Sequence, residues 1–108
     1  MGRYISVTGT AGAVTRVVSS TYNAVVNDRI LCTAGGFNIT MPNSATCIDG
    51  DTIQVLDVTG TFGSSNVTLV RNGSANIQNL AQNLVLDINN TSITLVYSST
   101  YGWIIAAK

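Results

Sequence analysis

Along the chain, short runs of alternating apolar and polar residues are separated by clusters of Gly, Asn, Ser and Thr, and this two-residue period predicts strands. Tyr4-Ile5-Ser6-Val7-Thr8 alternates first, Gly9-Thr10-Ala11-Gly12-Ala13 interrupts it, and Val17-Val18-Ser19-Ser20 leads into the body. Arg29-Ile30-Leu31-Cys32-Thr33 and Phe37-Asn38-Ile39-Thr40-Met41-Pro42 flank Ala34-Gly35-Gly36. Glycines supply the positive φ that a tight reversal needs, so these two runs are expected to form a hairpin, with Phe37, Ile39 and Met41 on one face. Asn43 to Ile48 reads as a loop closed by Asp49-Gly50-Asp51. The next run, Thr52 to Val58, places Ile53, Val55 and Asp57 on one face; the acid among apolar neighbours implies that the inward pattern shifts near Leu56 through a bulge.

Thr59 to Asn66 is a glycine-punctuated loop carrying Phe62, and Val67-Thr68-Leu69-Val70-Arg71 runs into the turn signal Asn72-Gly73. Ser74 to Asn83 is weakly apolar, irregular or one helical turn. Leu84-Val85-Leu86-Asp87-Ile88 and Ser92-Ile93-Thr94-Leu95-Val96-Tyr97 are expected to pair antiparallel about Asn89-Asn90, and Ser98 to Gly102 turns the chain into a closing strand from Trp103. Seven or more short strands predict an all-β fold, a small antiparallel β-sandwich or barrel. Residues 1–22 read as an amino-terminal arm or edge strand for attachment, and residues 23–108 as a compact β domain. So short an arm cannot bury itself, which makes Tyr4, Ile5, Val7, Val14, Val17 and Val18 candidate assembly contacts with another subunit or a larger particle.

Composition sharpens this picture. The 108 residues suit one domain with one modest core. Leu, Ile and Val total 29, mostly β-branched, and Thr and Ser add 24, as expected of sheets with one apolar and one hydroxyl-lined face. Five Lys and Arg balance five Asp, with no Glu and no His, so 11 Asn and the hydroxyls must keep the surface wet; such a surface tolerates close neighbours. Arg3, Arg16, Arg29, Arg71 and Lys108 are scattered, which argues against nucleic acid as a partner. No apolar run is long enough for membrane insertion and no export signal is read, so a soluble chain is expected.

Candidate chemistry is sparse. Asp49 and Asp51 are the nearest acid pair, but they flank Gly50 in a turn, where capping explains them better than catalysis. Without His there is no Ser-His-Asp or Cys-His relay, and neither a metal nor an organic cofactor has a recognisable donor set. The expectation is a protein that is not an enzyme and carries no cofactor. Cys32 and Cys47 are either free thiols or one disulfide across a short loop. Phe62, Tyr97, Tyr101 and Trp103 are the candidate interface or ligand surface; for Tyr97 and Trp103 the competing expectation is that they pack together as a cap on the core.

From Arg29 onward, about four-fifths of the chain resembles a small β domain of tailed-bacteriophage structural proteins, found in tail fibres, head fibres and capsid decorations. The resemblance is carried by the order of Ile30-Leu31-Cys32-Thr33-Ala34-Gly35-Gly36-Phe37-Asn38-Ile39-Thr40-Met41-Pro42, Gly50-Asp51-Thr52-Ile53-Gln54-Val55-Leu56-Asp57, Asn66 to Gly73, Leu84-Val85-Leu86-Asp87, and Thr94 to Trp103. Such relatives often have Glu where this chain has Gln82. The resemblance implies a virion protein assembled in the bacterial host, commonly a homotrimer, contacting other phage capsid or tail proteins and having no enzymatic residues. Capsid decoration and short fibre tip are both natural, and a host-surface glycan is the alternative partner.

Overall fold

The computed structural model describes residues 13–107, and in them nine strands form two sheets around a shared core. The first sheet is ordered β1 (Val14–Val18), β3 (Asp28–Cys32), β5 (Thr52–Asp57), β8 (Ser92–Ser98) and β9 (Gly102–Ala107). The second is ordered β2 (Tyr22–Asn23), β4 (Asn38–Thr40), β6 (Val67–Val70) and β7 (Leu84–Leu86).

The all-β expectation holds, but the antiparallel arrangement is corrected. β1, β3 and β5 are parallel to one another, as are β2, β4 and β6, and only β7, β8 and β9 join antiparallel. The chain alternates between sheets, so each parallel return passes through the opposite sheet, which does the work that a crossover helix does elsewhere. The result is three stacked coils of a two-sided solenoid, closed at one end by antiparallel strands.

The expected hairpin at Gly35-Gly36 is therefore an arch between sheets. The Gly36 N–H donates to the carbonyls of Ser65 and Asn66 at 3.0 and 3.1 Å, joining this arch to the equivalent bend of the next coil. Gly36 has φ +79°, and a Cβ on Gly35 would collide with the Ser65 carbonyl oxygen. The glycines thus serve close approach between coils as well as turning. Asn89-Asn90 is corrected in the same sense: it carries the chain from β7 in one sheet to β8 in the other, so those strands do not pair with each other.

Stacking in register puts like on like. Ile30 lies beside Val55 and Val55 beside Ile93 in the first sheet, while Ile39 lies beside Leu69 in the second. All five are buried, and with Phe37, Met41, Ile53, Phe62, Val67 and Leu95 they make the core. β5 alternates without interruption, so there is no bulge at Leu56 and Asp57 points inward among these groups. Two corners share one device: Val25 and Ile48 each donate their N–H to the carboxylate three residues on, Asp28 and Asp51, at 2.8 and 2.9 Å. The third residue of each corner, Asn27 or Gly50, has positive φ.

Gly35→Ala and Gly50→Ala separate the two uses of glycine. Gly50 has φ +93° but open space around its Cβ position, so its replacement should cost about 1 kcal/mol; replacement at Gly35 forces two arches apart and should cost about 3 kcal/mol. Urea unfolding of both variants checks this, and equal losses would contradict the close-packed arch.

Candidate functional site

Four of the five aspartates are committed to holding backbone. Asp28 begins β3, where its carboxylate accepts from the Tyr22 hydroxyl at 2.7 Å and the Val25 N–H, with the Arg16 Nε at 3.5 Å. Burial, then the bond to Asp28, pushes the Tyr22 hydroxyl pKa above its usual value. Asp49 accepts from the Ser99 N–H at 2.6 Å, which holds its carboxyl below the ordinary range, and Asp51 caps the Ile48 corner. Thus Asp49 and Asp51 face different segments and do not converge on one point.

Asp57 is the densest of these nodes. Its two carboxylate oxygens accept the N–H groups of Gly60, Thr61, Phe62 and Asn90 at 2.9 to 3.2 Å. Burial alone would raise its pKa, but the four donors outweigh burial and hold the carboxyl below its ordinary 3.8. They also draw Phe62 into the interior, where it is fully buried.

That placement corrects the aromatic surface. Tyr97 and Trp103 are directly paired across β8 and β9 with inward parity, and their rings meet edge to face with centroids 5.3 Å apart. Phe62, Tyr97 and Trp103 are buried, so none offers a ring face to a ligand; Tyr101 alone, at the tip of the β8–β9 turn, is 64% exposed. Cys32 and Cys47 are free. Cys32 sits in the core beside Asp57, where burial and then that negative charge push its thiol up to about 12; Cys47 is half-buried and also raised by burial, then by Asp51. The pair is therefore two free thiols in place of a bridge.

Among the described residues, the surfaces that could meet a partner include sheet edges, an apolar groove and a polar cleft. Val14 and Val17 on edge strand β1 are exposed and Val18 is half-buried against the core. Tyr4, Ile5 and Val7 lie outside the described residues. At the other end an apolar groove of about 320 Å³ runs along Val85, Leu86, Ile88 and Ile93, with Val85 and Ile88 exposed. A polar cleft of about 140 Å³ separates Ser74–Asn76 from the β8–β9 turn. Sequence reasoning missed the groove and the cleft. Alternation in the sequence runs the strand on to Ile88, on the face of Leu84 and Leu86, whereas β7 ends at Leu86 and leaves Ile88 exposed.

In comparisons with known proteins, no family model matches the chain and no curated protein matches it.

Two measurements follow from the buried groups. Because the folded pKa of Asp57 lies below its unfolded value, its stabilisation is complete above the unfolded pKa and is lost as pH falls through the folded one. Wild type should therefore exceed Asp57→Asn in unfolding free energy by about 3 kcal/mol near neutrality, with the gap narrowing below about pH 4; a pH-independent gap would refute the assignment. A thiol reagent near neutral pH should modify Cys47 before Cys32, with Cys32 reacting only on unfolding, as peptide mapping would show.

Proposed function

We propose that the chain is a non-enzymatic structural subunit of a tailed-phage virion, a capsid decoration or short fibre tip, working as a homotrimer attached to other particle proteins. The observation that carries this reading is the set of apolar side chains left exposed at both ends of a nearly uncharged solenoid: Val14 and Val17 at the first coil, Val85 and Ile88 beside the groove. Edge strands with free hydrogen-bonding groups and uncovered apolar residues gain by contact with another chain. The low charge imposes little repulsion between copies. The ordered succession of phage-like motifs supplies the biological setting.

A second reading, recognition of a host-surface glycan, is favoured by one observation, the exposed Tyr101 ring at the mouth of a polar cleft.

Sedimentation at micromolar concentration tests the assembly reading. A trimer is expected, and Ile88→Asp should shift it toward monomer with the thermal midpoint of the subunit unchanged, since Ile88 is already 70% exposed. A clean monomer of 11.3 kDa that also fails to bind phage particles would overturn the proposal.

A further inference from the structure

The cleft between Ser74–Asn76 and Ser98–Gly102 has rigid walls. Ser98 Oγ accepts the N–H groups of Thr100 and Tyr101 at 3.2 and 3.1 Å, fixing the turn that carries the exposed ring. The Trp103 N–H donates to the Asn76 carbonyl at 2.9 Å, and Gly102, at φ +80°, lies so close that a Cβ would strike the Asn76 backbone. Tyr97 lines the cleft, and its ring meets that of the buried Trp103 edge to face. The site is therefore held open before any ligand arrives, which lowers the ordering cost of binding.

Its chemistry is neutral. Among the described residues, no charged side chain lines the cleft. The nearest charges are turned onto backbone: Asp49 accepts the Ser99 N–H, and Arg71 donates to the carbonyls of Ser74 and Ala75. The Ser99 hydroxyl is also turned onto Asp49, but among the described residues no hydrogen bond engages the side chains of Ser74, Asn76 or Thr100, which leaves two hydroxyls and an amide free beside a flat, exposed ring. Hydroxyls and amides that both donate and accept, next to an aromatic face, match the mixed polar and C–H surface of a pyranose. The volume of about 140 Å³ suits partial entry of one ring and is too small to enclose a longer ligand.

We propose that this cleft is a subsite for one neutral sugar residue of a surface glycan, stacked on Tyr101 and hydrogen-bonded by Asn76 and the neighbouring hydroxyls. The proposal rests on the glycan-recognition reading and is independent of trimer formation.

Titration of the full chain with neutral saccharides (glucose, galactose and N-acetylglucosamine, with their short oligomers) and with N-acetylneuraminic acid, followed by amide chemical shifts, tests it. Saturable shifts at 74–76 and 98–102 with neutral sugars are expected; Tyr101→Ala should weaken binding by about tenfold or more and Tyr101→Phe should retain it. Unfolding curves should be unchanged, because the ring packs little. Saturable binding that ignores Tyr101→Ala would overturn the cleft while leaving glycan recognition standing elsewhere on the protein. Preference for the acidic sugar would overturn the neutral assignment, and no saturable binding by any of these sugars would overturn both.

Discussion

A carboxylate withdrawn from water costs several kcal/mol unless donors replace its hydration, and Asp57 meets that demand with four backbone N–H groups. Three of them come from the arch that carries the chain from β5 toward β6, and the fourth comes from Asn90 in the connection between β7 and β8. One side chain therefore ties the last solenoid coil to the antiparallel cap. It also fixes where Phe62 enters the core and how Asn90, at φ +61°, redirects the chain.

Much of the local structure was legible from alternation alone. Phe37, Ile39 and Met41 share the inward face, and the β8–β9 turn falls between Ser98 and Gly102, because a half-buried strand and a glycine turn each write a short-range pattern. Parallel pairing was not legible, since glycines at an arch and at a hairpin have the same composition; what distinguishes them is the Ser65 carbonyl of the neighbouring coil, some thirty residues away. Asp57 misled for a related reason. An acid at an inward position reads as an interrupted pattern until the four amides that face it are known. The aromatic cluster failed on parity: Tyr97 and Trp103 fall on inward positions of paired strands, whereas Tyr101 sits at the turn, and proximity in sequence conceals that difference.

The polar groups of this protein are arranged chiefly to hold backbone in place. Asp28, Asp49, Asp51 and Asp57 bind main-chain N–H groups, and Ser44 Oγ accepts from Ser74 and Ala75. Such a division leaves recognition to side chains that stabilise little, such as Ile88 and Tyr101, and these can change without endangering the core. The proposed roles in assembly and in sugar binding fall on separate parts of the surface, so one need not compromise the other.

The order of the first sheet also has a mechanical consequence. Among the described residues β1 and β9 are its two edges, four ladder steps apart, or roughly 19 Å at the usual spacing between strands. Tension applied between these strands acts along the hydrogen bonds and can peel them away one at a time, beginning with the five-residue β1, whose side chains are largely exposed. Traction on the chain at this edge is therefore borne by one ladder at a time, whereas contacts spread over several strands would share the load.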